Sequence, residues 1–220
     1  MTTHLSLQRP LLPTAQVSAL TTGSITLPSA RGAFVEGDYD SIASYTVSGS
    51  TTDAVAFSSI PATYKHLRLV CSWIAISPSG GGAYLSFIVN DDSSTNYANT
   101  HGHSDAASST VVNSAAGANQ TAFKEQSGFM GMNSTDTTNS FSVAIIDFHE
   151  YANTSINKSV IWRMVRDRDS GSGHPAARVG VLSGQWRSTS AINKITVTTA
   201  DSGGARYFYA NTTFQLYGLG

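Results

Sequence analysis

Charge is scarce in this sequence. Only 12% of the 220 residues are Asp, Glu, Lys or Arg, well below the roughly 25% usual in globular proteins, and the formal net charge is −1. Proteins that bind nucleic acid usually carry a basic stripe that displaces counterions from phosphate, and the few Lys and Arg residues here are scattered. Ser and Thr supply about a quarter of the chain, so hydroxyl groups take the place of charges. We therefore expect no nucleic-acid partner.

Cysteine and long apolar segments are also nearly absent. The single cysteine, Cys71, excludes an intramolecular disulfide, and its place in an apolar strand pattern predicts a small buried side chain. The first residues show no basic stretch followed by an apolar run, and no segment approaches about 18 consecutive apolar residues, the length of a membrane span. We expect neither a signal peptide nor a membrane partner, and a soluble protein made in a cytoplasm.

Helical periodicity is the third absence, and alternation with a period of two residues takes its place. On either side of Pro61, Val55 and Phe57 alternate with small residues, and Leu67 and Leu69 alternate with polar ones. About ten strand candidates result: Ile42–Val47, Ala54–Ser58, His66–Ile76, Tyr84–Val89, Ser127–Met132, Phe141–His149, Ser159–Val165, Ala177–Leu182, Ile192–Thr198 and Tyr207–Leu216. The fold class predicted is all-β, an antiparallel jelly-roll-like β-sandwich of about ten strands.

Residues 1–35 differ from the rest of the chain. Leucines, a valine and an isoleucine occur there between Pro10, Pro13 and Pro28 without a sustained helical or strand period. Disordered tails are usually polar and charged, so these apolar side chains predict a segment that is laid across a partner or a neighbouring subunit. We expect an extended N-terminal arm over residues 1–35 and a single β-sandwich domain over residues 36–220.

Two strand candidates are apolar on both faces. In Ser159–Val165 the alternating sets are Val160, Trp162 and Met164 on one face and Ile161, Arg163 and Val165 on the other. The candidate Phe141–His149 is apolar on both faces near its middle, which predicts a central position in its sheet. Contacts between subunits would cover the second face of such strands.

The interval Thr95–Ala122 is rich in Ser, Ala, Asn and Gly, and predicts an extended loop or a hairpin excursion. Loops of this length usually have a function or are mobile. Several aromatic residues stand near predicted loop ends, where they would either stack on sugars or fill the core: Trp73, Tyr84, Tyr97 and Tyr151.

Three groups of residues invite a chemical interpretation: His101 with His103, the oxygen-rich segment Asn90–Asn96, and Asp147 with His149 and Glu150. Two histidines without a Cys or carboxylate pattern specify little, and the oxygen-rich segment lacks the spacing of an EF-hand loop. The third group lacks an activated nucleophile or a pair of carboxylates in a cleft. We predict no catalytic, cofactor-binding or metal-binding residue, no cofactor and no enzymatic activity.

Several sequence blocks together suggest a family: Tyr39-Asp40-Ser41-Ile42-Ala43, the segment Phe57–Leu69 around Pro61, Asn96-Tyr97, Tyr151-Ala152-Asn153-Thr154, Asn157-Lys158, and Gly184–Ile192 around Trp186. Over about residues 39–218 the chain resembles a β-sandwich family common among tailed-bacteriophage virion proteins. The resemblance implies a structural component on the outside of a phage particle, commonly trimeric, and it implies no catalysis.

The expectation is therefore a non-enzymatic virion structural protein on the particle surface, a capsid decoration (cement) protein. It would form a homotrimer and anchor through its N-terminal arm to the major capsid protein or to other virion proteins. The alternative is a tail-fibre or baseplate appendage that binds host surface carbohydrate. Within the family's blocks, Tyr64 is expected to hydrogen-bond back to a turn carbonyl, and Trp186 is expected to close one end of the sandwich before a strand that begins at Ile192.

Overall fold

The structure is a computed structural model, and it describes residues 39–49, 52–76, 84–105, 108–114, 117–124, 132–133, 141–167, 177–200 and 207–220. At residues 75–76, 103–105, 108–114, 132–133, 167, 177 and 200 it describes the backbone alone. The predicted arm over residues 1–35 and most of the predicted strand Ser127–Met132 lie outside the described residues. The described part of the chain contains no helix that is long and apolar enough to cross a membrane.

Fourteen strands lie in the described part of the chain: β1 Tyr39–Thr46, β2 Ala54–Phe57, β3 His66–Ile76, β4 Tyr84–Val89, β5 Tyr97–Asp105, β6 Ser108–Ser114, β7 Phe123–Lys124, β8 Met132–Asn133, β9 Ser142–His149, β10 Lys158–Asp167, β11 Ala177–Trp186, β12 Ile195–Ala200, β13 Tyr207–Phe208 and β14 Thr213–Leu219. No helix occurs among these residues, so the all-β prediction is confirmed for them. They form more strands than the ten or so predicted, partly because β5 and β6 lie in the segment predicted as the excursion Thr95–Ala122.

The strands form two sheets that pack face to face. The large sheet has the order β1-β14-β3-β9-β10-β11-β5-β6, with β13 and β8 pairing with the end of β3, and the small sheet has the order β2-β12-β4-β7. All pairs are antiparallel except β3 with β8. Phe87 of the small sheet lies 5.5 Å from Phe148 and 5.0 Å from Trp162 of the large sheet, measured between ring centroids. These contacts join the two layers into a β-sandwich.

The core follows from the alternation in the sequence. Val55 and Phe57 of β2 are buried, and so are Leu67, Leu69 and Cys71 of β3, while the residues between them are exposed or half-buried. Cys71 is fully buried, and burial raises the pKa of its thiol far above the usual range. The prediction of a buried, unreactive cysteine is confirmed.

Several strand boundaries differ from the prediction: β1 begins at Tyr39 rather than Ile42, and β11 ends at Trp186 rather than Leu182. Two further differences change the course of the chain. The predicted strand Tyr207–Leu216 is two strands, β13 and β14, because Asn211 adopts a left-handed backbone (φ 69°) and turns the chain between them. The strand expected to begin at Ile192 begins at Ile195 instead. Ile192 is a buried loop residue whose amide donates to the carbonyl of Tyr151 at 2.9 Å. The predicted excursion Thr95–Ala122 contains the hairpin of β5 and β6.

The loop between β9 and β10 is tied to the sandwich by two buried side chains. The hydroxyl of Tyr151 donates a hydrogen bond to the carbonyl of Pro61, and the ammonium of Lys158 donates to the carbonyls of Asn153, Ile156 and Thr189 at 2.5, 2.7 and 3.1 Å. Tyr151 and Lys158 are both fully buried.

The role expected of Tyr64 therefore belongs to Tyr151, whose phenol reaches back to the turn carbonyl. The ring of Tyr64 instead covers Gly218, where an added Cβ would lie 2.3 Å from the Tyr64 ring. The expectation for Trp186 agrees better with the structure. Trp186 ends β11 and is buried, and its indole nitrogen donates to Asp92 at 2.7 Å, which joins the β4–β5 loop to β11 at one end of the sandwich.

Candidate interaction surface

The face of the large sheet that points away from the small sheet carries a row of exposed valines. In the register of β9, β10 and β11, Val165 stands between Val143 and Val179. These three side chains are 40%, 50% and 54% exposed. Neighbouring strands lie about 4.8 Å apart, so the three side chains form one continuous apolar strip across the sheet.

Two further rows extend this strip along the strands. Arg163 stands between Ile145 and Val181, and Val181 is 55% exposed. In the next row, Ile161 lies beside Asp147 and is 42% exposed. We call the five exposed aliphatic side chains of these rows the outer patch: Val143, Ile161, Val165, Val179 and Val181.

The opposite face of the same strands is buried and, at one end, polar. On β10 the inward side chains Val160, Trp162 and Met164 are at most 1% exposed, and Arg166, which follows them on the same face, is also buried. A cation is therefore inside the sandwich at the end of β10 where Val165 points outward. At this end of β10 the arrangement is the reverse of the usual one, in which an antiparallel sheet turns its apolar face to the core and its polar face to solvent.

A charged cluster borders the outer patch. Asp147 accepts hydrogen bonds from Arg68 Nε at 2.5 Å and Arg68 Nη2 at 2.9 Å, and its second oxygen also accepts one from Arg163 Nη2 at 3.2 Å. Arg68 also donates to the hydroxyl of Tyr39, whose ring stands edge-on to that of Tyr217. The bidentate geometry fixes Asp147 and Arg68, and the link to Arg163 draws that guanidinium toward Asp147.

Two histidines follow the charged cluster along the same face. The rings of His66 and His149 lie 5.2 Å apart, and the amide of Glu150 donates to His66 Nδ1 at 3.1 Å. Burial and the nearby His149 lower the pKa of His66, which favours the neutral ring that this hydrogen bond requires. The Asp147, His149 and Glu150 group of the sequence is thus part of a polar border, with its carboxylate Asp147 held by two arginines.

The remaining candidates for a chemical role are the segment Asn90–Asn96 and the histidines His101 and His103. Asp92 accepts hydrogen bonds from Ser94 N at 2.9 Å, Asn96 Nδ2 at 3.0 Å and Trp186 Nε1 at 2.7 Å, and Asp91 pairs with Lys194. The segment Asn90–Asn96 is therefore a turn fastened by its own side chains. His101 is buried, and the side chain of His103 lies outside the described residues. Among the described residues no three His, Cys, Asp or Glu side chains come close enough to hold a metal ion.

The aromatic residues considered for sugar stacking are mostly core residues. Trp73, Tyr97 and Tyr151 are fully buried, and Tyr84 is half-buried. Burial raises the pKa of Tyr97 to about 12, and its hydroxyl donates to the carbonyl of Asp92 at 2.8 Å. Rings that are fully buried offer no face to a glycan, so the core interpretation is correct for these three residues.

The valines of β11 are the part of the surface that sequence reasoning missed. The strand Ala177–Trp186 places Val179 and Val181 outward and Gly180, Leu182 and Gly184 inward. Alternation alone does not tell which of two apolar sets is buried. A signal was nevertheless present, because glycines alternating with valines leave room on one face for a large side chain from elsewhere.

Comparisons of this chain with protein-family models, with curated proteins and with solved structures gave no match. The interpretation of the surface therefore rests on its residues and their geometry.

Proposed function

We propose that this chain is a non-enzymatic structural protein of a tailed-bacteriophage virion, exposed on the particle surface. In this proposal it is a capsid decoration protein that oligomerises and anchors to the major capsid protein through an arm over residues 1–35. The observation that carries the assembly role is the outer patch. A central strand, β10, is apolar on both faces, and a sheet of that kind gains by being covered from outside.

A jelly-roll-like sandwich is part of the proposal. The chain passes between the two sheets at each step from β1 to β5, as jelly-roll chains do, and only afterwards forms neighbouring pairs within the large sheet. The resemblance of Phe57–Leu69 and Gly184–Ile192 to phage virion proteins supplies the setting. The geometry supplies a β-sandwich domain in which polar groups such as Asp147 and Asp92 are held by hydrogen bonds within the fold.

The test is the number of copies in purified particles of a phage that encodes this chain. Quantitative gel densitometry against the major capsid protein should give hundreds of copies per particle if the chain decorates the capsid. A handful of copies would overturn the decoration role in favour of a tail-fibre or baseplate appendage. Absence from the particle would overturn the virion assignment itself.

A further inference from the structure

We infer that the outer patch, Val143, Ile161, Val165, Val179 and Val181, is the surface through which this chain associates with a second copy of itself. The inference rests on the proposed function, because it names the partner and the residues of the proposed assembly. It goes further in assigning the contact to the outer face of β9, β10 and β11, away from the loops and with the charged border at Asp147 beside Ile161.

Leaving the outer patch exposed to water costs free energy. Four valines and one isoleucine between 40% and 55% exposed lie on three adjacent strands. Scattered apolar residues on a surface need no explanation, but a contiguous group on one face marks an interaction site. Valine and isoleucine side chains are stiff, so they lose little conformational entropy when a partner covers them.

The area of the outer patch suits the apolar centre of an interface between two copies. Three strands about 4.8 Å apart and three rows about 6.7 Å apart span roughly 14 Å by 20 Å, or about 300 Å² in plan. Adding β3 and β5, which flank the three strands with Val70 and Gly102, brings the surface to roughly 24 Å by 20 Å, or about 500 Å². A stable interface hides about 800 Å² on each partner, with an apolar centre and a polar rim. The outer patch has the size of such a centre, and the charged cluster at Asp147 lies where the rim would be.

The charge and the strand spacing of the outer patch indicate which kind of partner fits it. The three rows contain two charged side chains, Arg163 and Asp147, and they pair with each other at 3.2 Å. A surface whose two charged side chains neutralise each other offers no strong field to nucleic acid or to another highly charged partner. A second outer patch presents the same flat rows at the same strand spacing, and two sheets stack about 10 Å apart through side chains of this size. A copy of the chain therefore matches the patch in polarity and in spacing, as closed homo-oligomers do.

The experiment compares two isoleucines of nearly equal exposure in the full-length chain. Ile161 is 42% exposed within the outer patch, and Ile156 is 44% exposed in the β9–β10 loop. Sedimentation velocity over a concentration series should show that the wild type and Ile156→Asp associate alike. Ile161→Asp should weaken association about 100-fold or more, since it replaces an apolar contact with a carboxylate that would be buried next to the like charge of Asp147.

A milder pair of variants guards against loss of the fold. Val181→Thr and Val165→Thr keep the shape and the strand preference of valine and change only its polarity. Circular dichroism and thermal unfolding should match the wild type, while association weakens about 10-fold for each variant. A wild-type chain that stays monomeric at every concentration overturns the inference. Folded threonine variants that associate like the wild type overturn it as well.

A second readout locates the contact directly. Cys71 is the one cysteine of the chain and is fully buried, so an introduced thiol can be alkylated without background. The thiol of Val181→Cys should react more slowly as protein concentration rises, and that of Ile156→Cys should react at a constant rate. Equal behaviour of the two thiols would overturn the assignment of this face. A high copy number in particles together with a monomeric purified chain would refute this inference without contradicting the proposed function.

Discussion

Asp92 is the carboxylate on which the end of the sandwich depends, and its replacement by asparagine is the most informative single change. The carboxylate accepts hydrogen bonds from the backbone amide and the hydroxyl of Ser94, from Asn96 and from the buried indole of Trp186. A carboxylate has only acceptors, and asparagine has one oxygen and one amide donor. In Asp92→Asn, whichever way the amide is turned, its NH₂ group faces at least one donor that the carboxylate had satisfied.

The expected cost follows from counting these bonds. A hydrogen bond to a charged group contributes about 1.5 to 3 kcal/mol, and a buried donor left without an acceptor costs about 1 to 3 kcal/mol. Asp92 is half-buried, which moderates both effects, so we expect Asp92→Asn to lower the free energy of unfolding by about 3 kcal/mol. Urea unfolding followed by tryptophan fluorescence measures this value, because the three tryptophans are all buried.

The pH dependence gives a second check on the same residue. Partial burial acts to raise the pKa of Asp92, but the hydrogen bonds from Ser94, Asn96 and Trp186 outweigh it and hold the pKa well below its ordinary value. An aspartate whose pKa is lowered in the folded state stabilises the fold above its unfolded pKa, about 3.9, and loses that contribution as pH falls toward the folded pKa. The difference between wild type and Asp92→Asn should therefore be constant above about pH 5 and about 1 kcal/mol smaller at pH 3.

The neighbouring aspartate is the matched control. Asp91 is 62% exposed at its side chain and makes a surface ion pair with Lys194. Its backbone has a left-handed conformation (φ 56°), which asparagine also tolerates. Asp91→Asn should change the free energy of unfolding by less than about 1 kcal/mol at any pH. The reasoning is refuted if Asp92→Asn costs no more than Asp91→Asn at pH 7, or if its cost is the same at pH 3.

Three further changes test the internal anchors of the fold by urea unfolding. Lys158→Met should cost about 2 kcal/mol, because it leaves three carbonyl oxygens without the ammonium that now serves them. Tyr151→Phe should cost about 1 kcal/mol through loss of the hydrogen bond to the carbonyl of Pro61. Gly184→Ala should cost about 2 kcal/mol or more, since its Cβ would lie 2.6 Å from the ring of the fully buried Phe123.

Each of these changes has a control elsewhere in the chain. Lys194→Met removes an exposed ion pair, Tyr64→Phe keeps the ring over Gly218, and Gly49→Ala adds a methyl group where nothing lies within 4 Å. All three controls should cost less than about 1 kcal/mol. A control that costs as much as its matched variant would show that the corresponding anchor has been assigned to the wrong atoms.

The sequence predicts the strands well where burial alternates and turn formers follow. The predicted bounds of β3, His66–Ile76, and of β4, Tyr84–Val89, agree with the structure at both ends, because apolar residues at every second position form the buried face of each strand. The split between β13 and β14 is not predictable in the same way. It depends on the left-handed backbone of Asn211 and on the hydrogen bond from Val47 N to the carbonyl of Thr212, a partner far away in the sequence.

The tyrosine that anchors the β9–β10 loop shows a second limit of prediction from sequence. Tyr64 and Tyr151 both stand next to strands, and local sequence favours Tyr64 because it follows Pro61 by three residues. The bond to the Pro61 carbonyl comes from Tyr151, 90 residues along the chain, because the pairing of β3 with β9 brings the two loops together. Sequence reasoning identifies the kind of contact, and only the sheet order identifies which phenol makes it.

The outer patch is predictable on β10 and not on β11. Ile161 and Val165 alternate with Val160 and Trp162, so two apolar faces are visible from the sequence alone. On β11 the outward position of Val181 depends on Phe123, which fills the space beside Gly184 from 61 residues away and so determines which face of the strand is inside. In the local sequence a contact of that range leaves only the spacing of the glycines as a signal, and that spacing alone does not identify the ring that fills the space.

The two faces of strand β10 have different roles. One face packs in the core and stabilises the fold, and the other remains exposed for a partner. Trp162 is fully buried and contacts Phe87 of the small sheet, so its side chain holds the two sheets together. Ile161 and Val165, one residue before it and three after, contribute little to the folded monomer because they remain about half exposed. Truncating Trp162 should therefore unfold the chain, whereas changing Ile161 to a polar residue should leave its unfolding unchanged within about 0.5 kcal/mol. A contiguous group of apolar residues that contributes little to the monomer is explained by a surface that covers it, and on this strand that surface is the proposed second copy.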